Sequence, residues 1–116
     1  MTTVQDITHE DMKRIVDDGQ AVLVDCNGAT SFSQAHIPGA IDFSTDKDHL
    51  KDVLPLNRDT PVIVYCGSEQ CHAYESCAQV VMDMGFTNVI HYAPGIKGWV
   101  ARGERTESAA DVPTRH

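Results

Sequence analysis

Long apolar runs are missing from this chain. No stretch approaches the roughly 20 residues that a membrane span needs, so a spanning helix and a membrane partner are not expected. Positive charge is scarce: nine Lys plus Arg stand against seventeen Asp plus Glu, a formal net charge of -8. There is no basic run and no basic patch interleaved with aromatics, which argues against nucleic acid as a partner. A long-range field of this sign also opposes anions, so any anion site has to be made locally from backbone amides or a few cations. The C-x2-C spacing of ordinary zinc sites is absent, and no metal is expected. The N-terminus, Met1-Thr2-Thr3-Val4-Gln5-Asp6, lacks the basic flank and apolar core of a signal peptide. The chain is therefore expected in the cytoplasm. Internal repeats and low-complexity segments are missing as well.

What is present is enough for one domain. With 116 residues a single hydrophobic core can form, but not two. Thr8 followed by Asp11 resembles a capping box with Asp in place of Glu, and Gly19 suits a C-cap, so a helix is predicted over about 9–18. Ala21-Val22-Leu23-Val24-Asp25 reads as a short buried strand. One or two helical turns fit residues 30–35, and Ile37-Pro38-Gly39 is a turn. Ala40 to Phe43 reads as another short strand, after which Ser44 can cap a helix from about Thr45 to Val53. The β-branched run Pro61-Val62-Ile63-Val64-Tyr65 is a buried strand. From about His72 to Met84, Ala73, Cys77, Val80, Val81 and Met84 recur at helical spacing, and Gly85 ends that helix. Asn88 to His91 is a strand, and a last helix begins near Gly95 and carries Trp99. Strands alternating with helices over short links predict an α/β domain with a central, mainly parallel sheet flanked by helices. Beyond about Gly103 periodicity stops, so the domain is assigned to 1–103 and a mobile tail to 104–116.

The residue that carries most chemical information is Cys66. It ends the strand 61–65, precedes the polar loop Gly67-Ser68-Glu69-Gln70, and faces a helix N-terminus. In parallel α/β sheets, ligands bind at the carboxyl ends of strands. Amide N–H groups and the helix dipole there favour an anion. Such surroundings lower a thiol pKa and yield a thiolate nucleophile. A free cysteine can equally serve as a small buried hydrophobe, and position alone leaves both readings open.

Several landmarks in order give a more specific picture. Val22-Leu23-Val24-Asp25 is followed by His36-Ile37-Pro38-Gly39-Ala40-Ile41. Then come Val62-Ile63-Val64-Tyr65-Cys66, Gly85-Phe86-Thr87-Asn88-Val89 and Gly95-Ile96-Lys97-Gly98-Trp99. Over roughly residues 5–103 the chain resembles a single-domain rhodanese, a sulfurtransferase-type module, of the subset with a Cys-x4-Cys active-site loop. The resemblance implies the rhodanese-like three-layer fold and a loop starting at Cys66. In that family the equivalent cysteine takes a sulfane sulfur from a donor such as thiosulfate, holds it as a persulfide and passes it to cyanide or a thiol. No cofactor is required. Gly67, Ser68, Glu69, Gln70, Cys71 and His72 then form the substrate-binding loop, with the amides of 67–72 as the expected donors to the anionic sulfur.

The chain also departs from the family pattern. Family members commonly carry Arg and Glu where Asn27 and Ser31 stand here; losing both together avoids leaving one buried charge unpaired. Ala93-Pro94-Gly95 replaces the usual start of the Gly-Gly turn. The stretch from Cys66 to Gly85 is two residues longer than in the commonest single-domain members, a wider cradle whose donor need not be thiosulfate. Phosphatase and arsenate-reductase relatives place Arg six positions after the cysteine, where this chain has His72. Without a guanidinium clamp, phosphate-ester chemistry is not expected.

Cys71 is a candidate resolving thiol for a sulfenic acid or persulfide on Cys66, while Cys77 belongs to the apolar stripe. A metal set drawn from Cys66, Cys71, His72 and His91 is weighed and set aside. His36 reads as a turn residue held by hydrogen bonds, and Asp25 as an organiser of loop amides. Trp99 anchors the last helix. Lys97 and Arg102 are the nearest cations for an anionic donor, with a solvated surface role as their default. The leading reading is a sulfurtransferase whose partners are a small sulfur-containing anion and a thiol or cyanide acceptor, with a sulfur-accepting protein as the alternative acceptor. The rival is a rhodanese-fold sulfur-carrier or redox-sensing module using Cys66 and Cys71 with little thiosulfate turnover. A third is a structural domain with an inert cysteine.

Overall fold

The computed structural model describes residues 4–108. Five short strands, β1 (Gln5–Asp6), β2 (Val22–Asp25), β3 (Ile41–Asp42), β4 (Val62–Tyr65) and β5 (Val89–His91), form one sheet in the order β1-β5-β4-β2-β3. Every pairing is parallel. The helices are α1 (His9–Asp18), α2 (Ala29–Gln34), α3 (Phe43–Asp46), α4 (Leu50–Val53), α5 (Tyr74–Asp83) and α6 (Gly95–Ala101). This is the expected α/β architecture with a parallel sheet between helical layers.

Alternation along the strands builds two cores. Val24, Val62, Val64 and Val89 face one way and meet Leu50 of α4 and Cys77, Ala78 and Val81 of α5. Leu23, Ile63 and Tyr65 face the other way and meet Met12 of α1 and Trp99 of α6. β4 is buried along its whole length because it lies between β5 and β2 with helices on both faces. Each such fully buried aliphatic side chain contributes about 1.5–3 kcal/mol. That position makes the carboxyl end of β4, and so Cys66, a firm platform.

Most local signals act as read. The Thr8 hydroxyl accepts from the Asp11 N–H, and Gly19 closes α1 in the left-handed region at φ 66°. The segment after β3 differs. Asp42, not Ser44, is the cap: its carboxylate accepts from the Ser44 N–H and hydroxyl and from the Thr45 hydroxyl. The predicted helix 45–53 is broken into α3, a 3-10 turn over 47–49, and α4. His49, at φ -141°, leaves helical geometry and reaches back to the Asp46 carboxylate. Short polar side chains there offer alternatives to helical hydrogen bonding. β1 was not legible because its two residues are exposed and carry no apolar pattern.

The expected tail is corrected for 104–108. His36 and Glu107 exchange both backbone hydrogen bonds, at 2.8 and 2.9 Å. The buried Trp99 indole donates to the Arg105 carbonyl at 2.8 Å, and Glu104 pairs with His9 and Lys13. Polar partners, not apolar periodicity, hold this segment. The remainder of the assigned tail, 109–116, lies outside the described residues. No described helix is long and apolar enough to cross a membrane.

Candidate active site

The loop after β4 is held from below by α6. The Ile96 N–H donates to the Cys66 carbonyl at 2.9 Å and the Lys97 N–H to the Gly67 carbonyl at 3.0 Å. Such close approach needs Gly95, where a Cβ would stand 2.3 Å from the Cys66 oxygen on a backbone at φ 66°. A peptide's carbonyl and N–H point in opposite directions. Tying the Cys66 carbonyl to α6 therefore turns the Gly67 N–H away from α6 and toward the thiols. That amide hydrogen-bonds both Cys66 and Cys71.

The second wall is the start of α5. Ala73 occupies its N-cap with no side-chain cap, so first-turn amides remain available to other acceptors. The Tyr74 N–H is directed at the Cys66 sulfur and the Ala73 N–H at the Cys71 sulfur. The donors to the two sulfurs are thus Gly67, Ala73 and Tyr74. Only the first belongs to the loop 67–72 from which donors were expected. Nothing in residue type marks Ala73 or Tyr74; only the missing cap residue hints at free amides there.

Cys66 is 1% exposed, and its thiol lies 3.3 Å from the Cys71 carbonyl. Burial first, and then the hydrogen bond with the Cys71 sulfur, push the Cys66 thiol up to about 11 against the Tyr74 and Gly67 amides. Cys71 moves the other way. The hydrogen bond from Cys66 lowers it, with help from the Gly67 and Ala73 amides. The expectation of a lowered Cys66 thiol is corrected: burial raises it, and the lowered thiol is Cys71, which lies nearer the surface.

Below the loop, Asp25 and Tyr65 face each other in register on neighbouring strands. The Tyr65 hydroxyl donates to Asp25 at 2.8 Å and accepts from the Ile37 N–H at 3.0 Å. The other Asp25 oxygen accepts from the Asn27 N–H at 2.8 Å, so Asp25 does organise a loop amide. Its carboxyl pKa is raised by burial despite these bonds. Asn27 sits under Gly67, its Oδ1 3.3 Å from where a Cβ would be.

The histidines take supporting places. His36 donates to the Phe32 carbonyl at 2.7 Å and stacks on the Phe32 ring, as a held turn residue should. His72 turns outward to Glu75, with 74% of its side chain exposed, away from the cradle. His91 stacks on Tyr74 at 3.5 Å and pairs with Asp6, bracing the first turn of α5; burial lowers its pKa. Ser68, Glu69 and Gln70 face α6 across a cavity whose other wall includes Pro94, Lys97 and Arg102. Among the described residues no group of three or more His, Cys, Asp and Glu could hold a metal ion.

Comparison with known proteins gives the family and the fold. The uncharacterized protein YibN of Escherichia coli K12 is 31% identical over 99 residues, spanning 83% of this chain and 67% of YibN. The fold matches a thiosulfate sulfurtransferase from Pseudomonas aeruginosa with a TM-score of 0.73 at 22% identity, over 91% of this chain but 20% of that one. It matches the human single-domain sulfurtransferase TSTD1 with a TM-score of 0.66 at 14% identity, over 86% of this chain and 98% of that one. The family model described as "Rhodanese-like domain" covers residues 8–102, and the chain belongs to that family.

Proposed function

We propose that the protein is a sulfurtransferase in which Cys66 carries a sulfane sulfur as a persulfide. The observation that carries this reading is the convergence of the Gly67 and Tyr74 amides on a cysteine at the end of the central strand. Amides fixed in this way stabilise the anionic terminal sulfur without reorganising during reaction. Thiosulfate or a persulfide is the donor, and cyanide or a thiol the acceptor.

In the first step the Cys66 proton passes to the Cys71 thiolate, its hydrogen-bond partner. The Cys66 thiolate attacks the outer sulfur of thiosulfate. A new S–S bond forms, the S–S bond of thiosulfate breaks, and sulfite leaves with the electron pair. In the second step the acceptor thiolate or cyanide attacks the terminal sulfur, and Cys66 leaves as a thiolate that recovers its proton. Cys66 is the nucleophile, Cys71 the proton acceptor, and residues 67–72 bound the substrate. A reducing, cytoplasmic setting, in which thiols stay free, suits this chemistry.

A redox role is favoured by one specific feature, the hydrogen bond between the Cys66 and Cys71 thiols. Attack of the Cys71 thiolate on the inner sulfur of the persulfide forms a Cys66–Cys71 disulfide and expels hydrosulfide, which needs no outside oxidant. The experiment that separates the readings is intact-protein mass spectrometry after incubation with thiosulfate, in wild type and Cys66→Ser. One added sulfur, removed by cyanide and absent from the variant, supports the sulfurtransferase. A mass lower by two hydrogens with no adduct supports the redox module. Neither change in wild type overturns both.

A further inference from the structure

A second cavity, of about 510 Å³, lies where α2, β3, α3 and the docked segment 104–108 meet. Phe32, His36, Asp42, Asp46, Val53 and Glu107 are among its walls, and none of residues 66–74 is. Its charge is of one sign: three carboxylates line it, and no Lys or Arg does. Asp42 is engaged as the cap of α3 and Asp46 meets His49. Glu107 accepts from the Gly39 N–H at 3.1 Å, and Arg105 stands 3.8 Å from its other oxygen on a side chain 74% exposed. A pair so exposed is largely screened by water. His36 turns this acidic wall into a site. Its side chain is 4% exposed. Its Nδ1 carries the ring proton, because it lies 2.7 Å from the Phe32 carbonyl, which can only accept. The Phe32 ring, stacked at 3.7 Å, fixes the imidazole plane. The neutral ring therefore presents Nε2 as a lone pair, 3.8 Å from the Glu107 carboxylate and hydrogen-bonded to no described residue. Two acceptors held face to face in a buried wall call for a donor between them.

We infer that this cavity binds a small aliphatic diamine. One ammonium nitrogen, about 2.9 Å from each, can donate to His36 Nε2 and to the Glu107 carboxylate together. The methylene chain lies along Ile41 and Val53, which also line the cavity. The second ammonium faces Asp42 and Asp46. A single cation would leave two of the three carboxylates uncompensated, so a dication fits better than the side chain of a partner's lysine. A metal ion fits less well, since no group of three or more His, Cys, Asp and Glu among the described residues could hold one. The chain's net charge of -8 attracts a dication over long range, and the volume suits a small organic ligand. Binding breaks no covalent bond and is independent of the chemistry at Cys66.

The test is calorimetry at neutral pH with 1,5-diaminopentane, n-pentylamine, 1-pentanol and Nα-acetyllysine N-methylamide, on wild type, Glu107→Gln and Asp46→Asn. Both substitutions remove a charge and keep an oxygen for the Gly39 N–H or for His49. The diamine is expected to bind wild type more tightly than the monoamine, and the alcohol not at all. Glu107→Gln should weaken the diamine at least about tenfold, as loss of a charged hydrogen bond does. Asp46→Asn, which removes only a charge, should weaken it at least about threefold. No binding of the diamine to wild type, or a smaller loss in either variant, overturns the site. The lysine derivative binding as tightly as the diamine overturns the diamine assignment in favour of a protein side chain. A second measurement needs no variant: the ring-nitrogen resonances of His36 in wild type. Nε2 without a proton in the free protein, and shifted by the diamine, supports the bridge. A proton already on Nε2, or a resonance unmoved at saturation, overturns it.

Discussion

The Cys66 thiol points its proton at Cys71, 3.3 Å from that residue's carbonyl and hydrogen-bonded to its sulfur. The deeper thiol is therefore raised and the shallower one lowered. This places the nucleophile and its proton acceptor one loop apart, with the same Gly67 amide serving both.

Alkylation should follow that order. At neutral pH iodoacetamide should modify Cys71 before Cys66, and leave Cys26 and Cys77 for last, since Cys77 is buried and Cys26 is raised through its hydrogen bond with Cys77 and by burial. In Cys71→Ser the two contributions of the Cys71 sulfur that raise Cys66, a hydrogen bond and a charge, are gone. The Cys66 alkylation midpoint should then fall below about 11. Peptide mapping across a pH series reads this out, and an unmoved midpoint would contradict the shared proton.

Cys66→Ser should abolish sulfur transfer and leave the fold in place. The serine hydroxyl can donate to the Cys71 carbonyl as the thiol does, so the melting temperature should stay close to wild type. Wild-type-like turnover in this variant would overturn the assignment of the nucleophile.

Cys71→Ser should still form the Cys66 persulfide in a single turnover but over-oxidise faster under peroxide, because a serine cannot trap a sulfenic acid as a disulfide. Sulfinic acid at Cys66 is counted by mass spectrometry. Equal sensitivity in both proteins would remove Cys71 as a resolving thiol.

Gly95→Ala should lower both stability and activity, and Gly103→Ala supplies its control. Both backbones lie in the left-handed region, at φ 66° and 76°, but a Cβ at Gly103 meets nothing within 4 Å while one at Gly95 lands 2.3 Å from the Cys66 oxygen. The shared conformational cost is roughly 1–2 kcal/mol. The excess at Gly95 reports displacement of α6 from the loop, and only that variant should lose kcat. Equal loss of stability with full activity in both would show that the loop does not depend on the Gly95 approach.

Tyr65→Phe should cost about 1–3 kcal/mol in denaturant melts, since the buried Asp25 carboxyl and the Ile37 N–H both lose a partner. The pH dependence has a definite sign. The folded-state pKa of Asp25 is raised, so ionisation opposes folding, and stability falls as pH rises from the unfolded value of about 3.9 through the folded one. Removing the Tyr65 donor raises Asp25 further, so the loss relative to wild type should be larger near neutral pH than in acid. A loss independent of pH would mean that Asp25 does not titrate with Tyr65.

Much of this protein is local and therefore readable in one dimension. The β-branched run at Val62–Tyr65 determined a buried strand, the spacing of Cys77 and Val81 determined the buried face of α5, and Thr8 and Gly19 bounded α1. Together they placed Cys66 at a strand end facing a helix. Three things needed the third dimension. Asp42 captured the cap assigned to Ser44, because three donors converge on its carboxylate. Residues 104–108 docked through backbone bridges and the Trp99 indole, for which apolar periodicity has no signal. Most consequentially, the exchange of roles between Cys66 and Cys71, and the meeting of Lys97 and Arg102 with the loop, were decided by burial and by approaches across α6 and α5. Periodicity reports which face of an element is buried. How a proton is shared between two sulfurs depends on depth and on amides delivered from elsewhere in the chain, and only the folded packing supplies those.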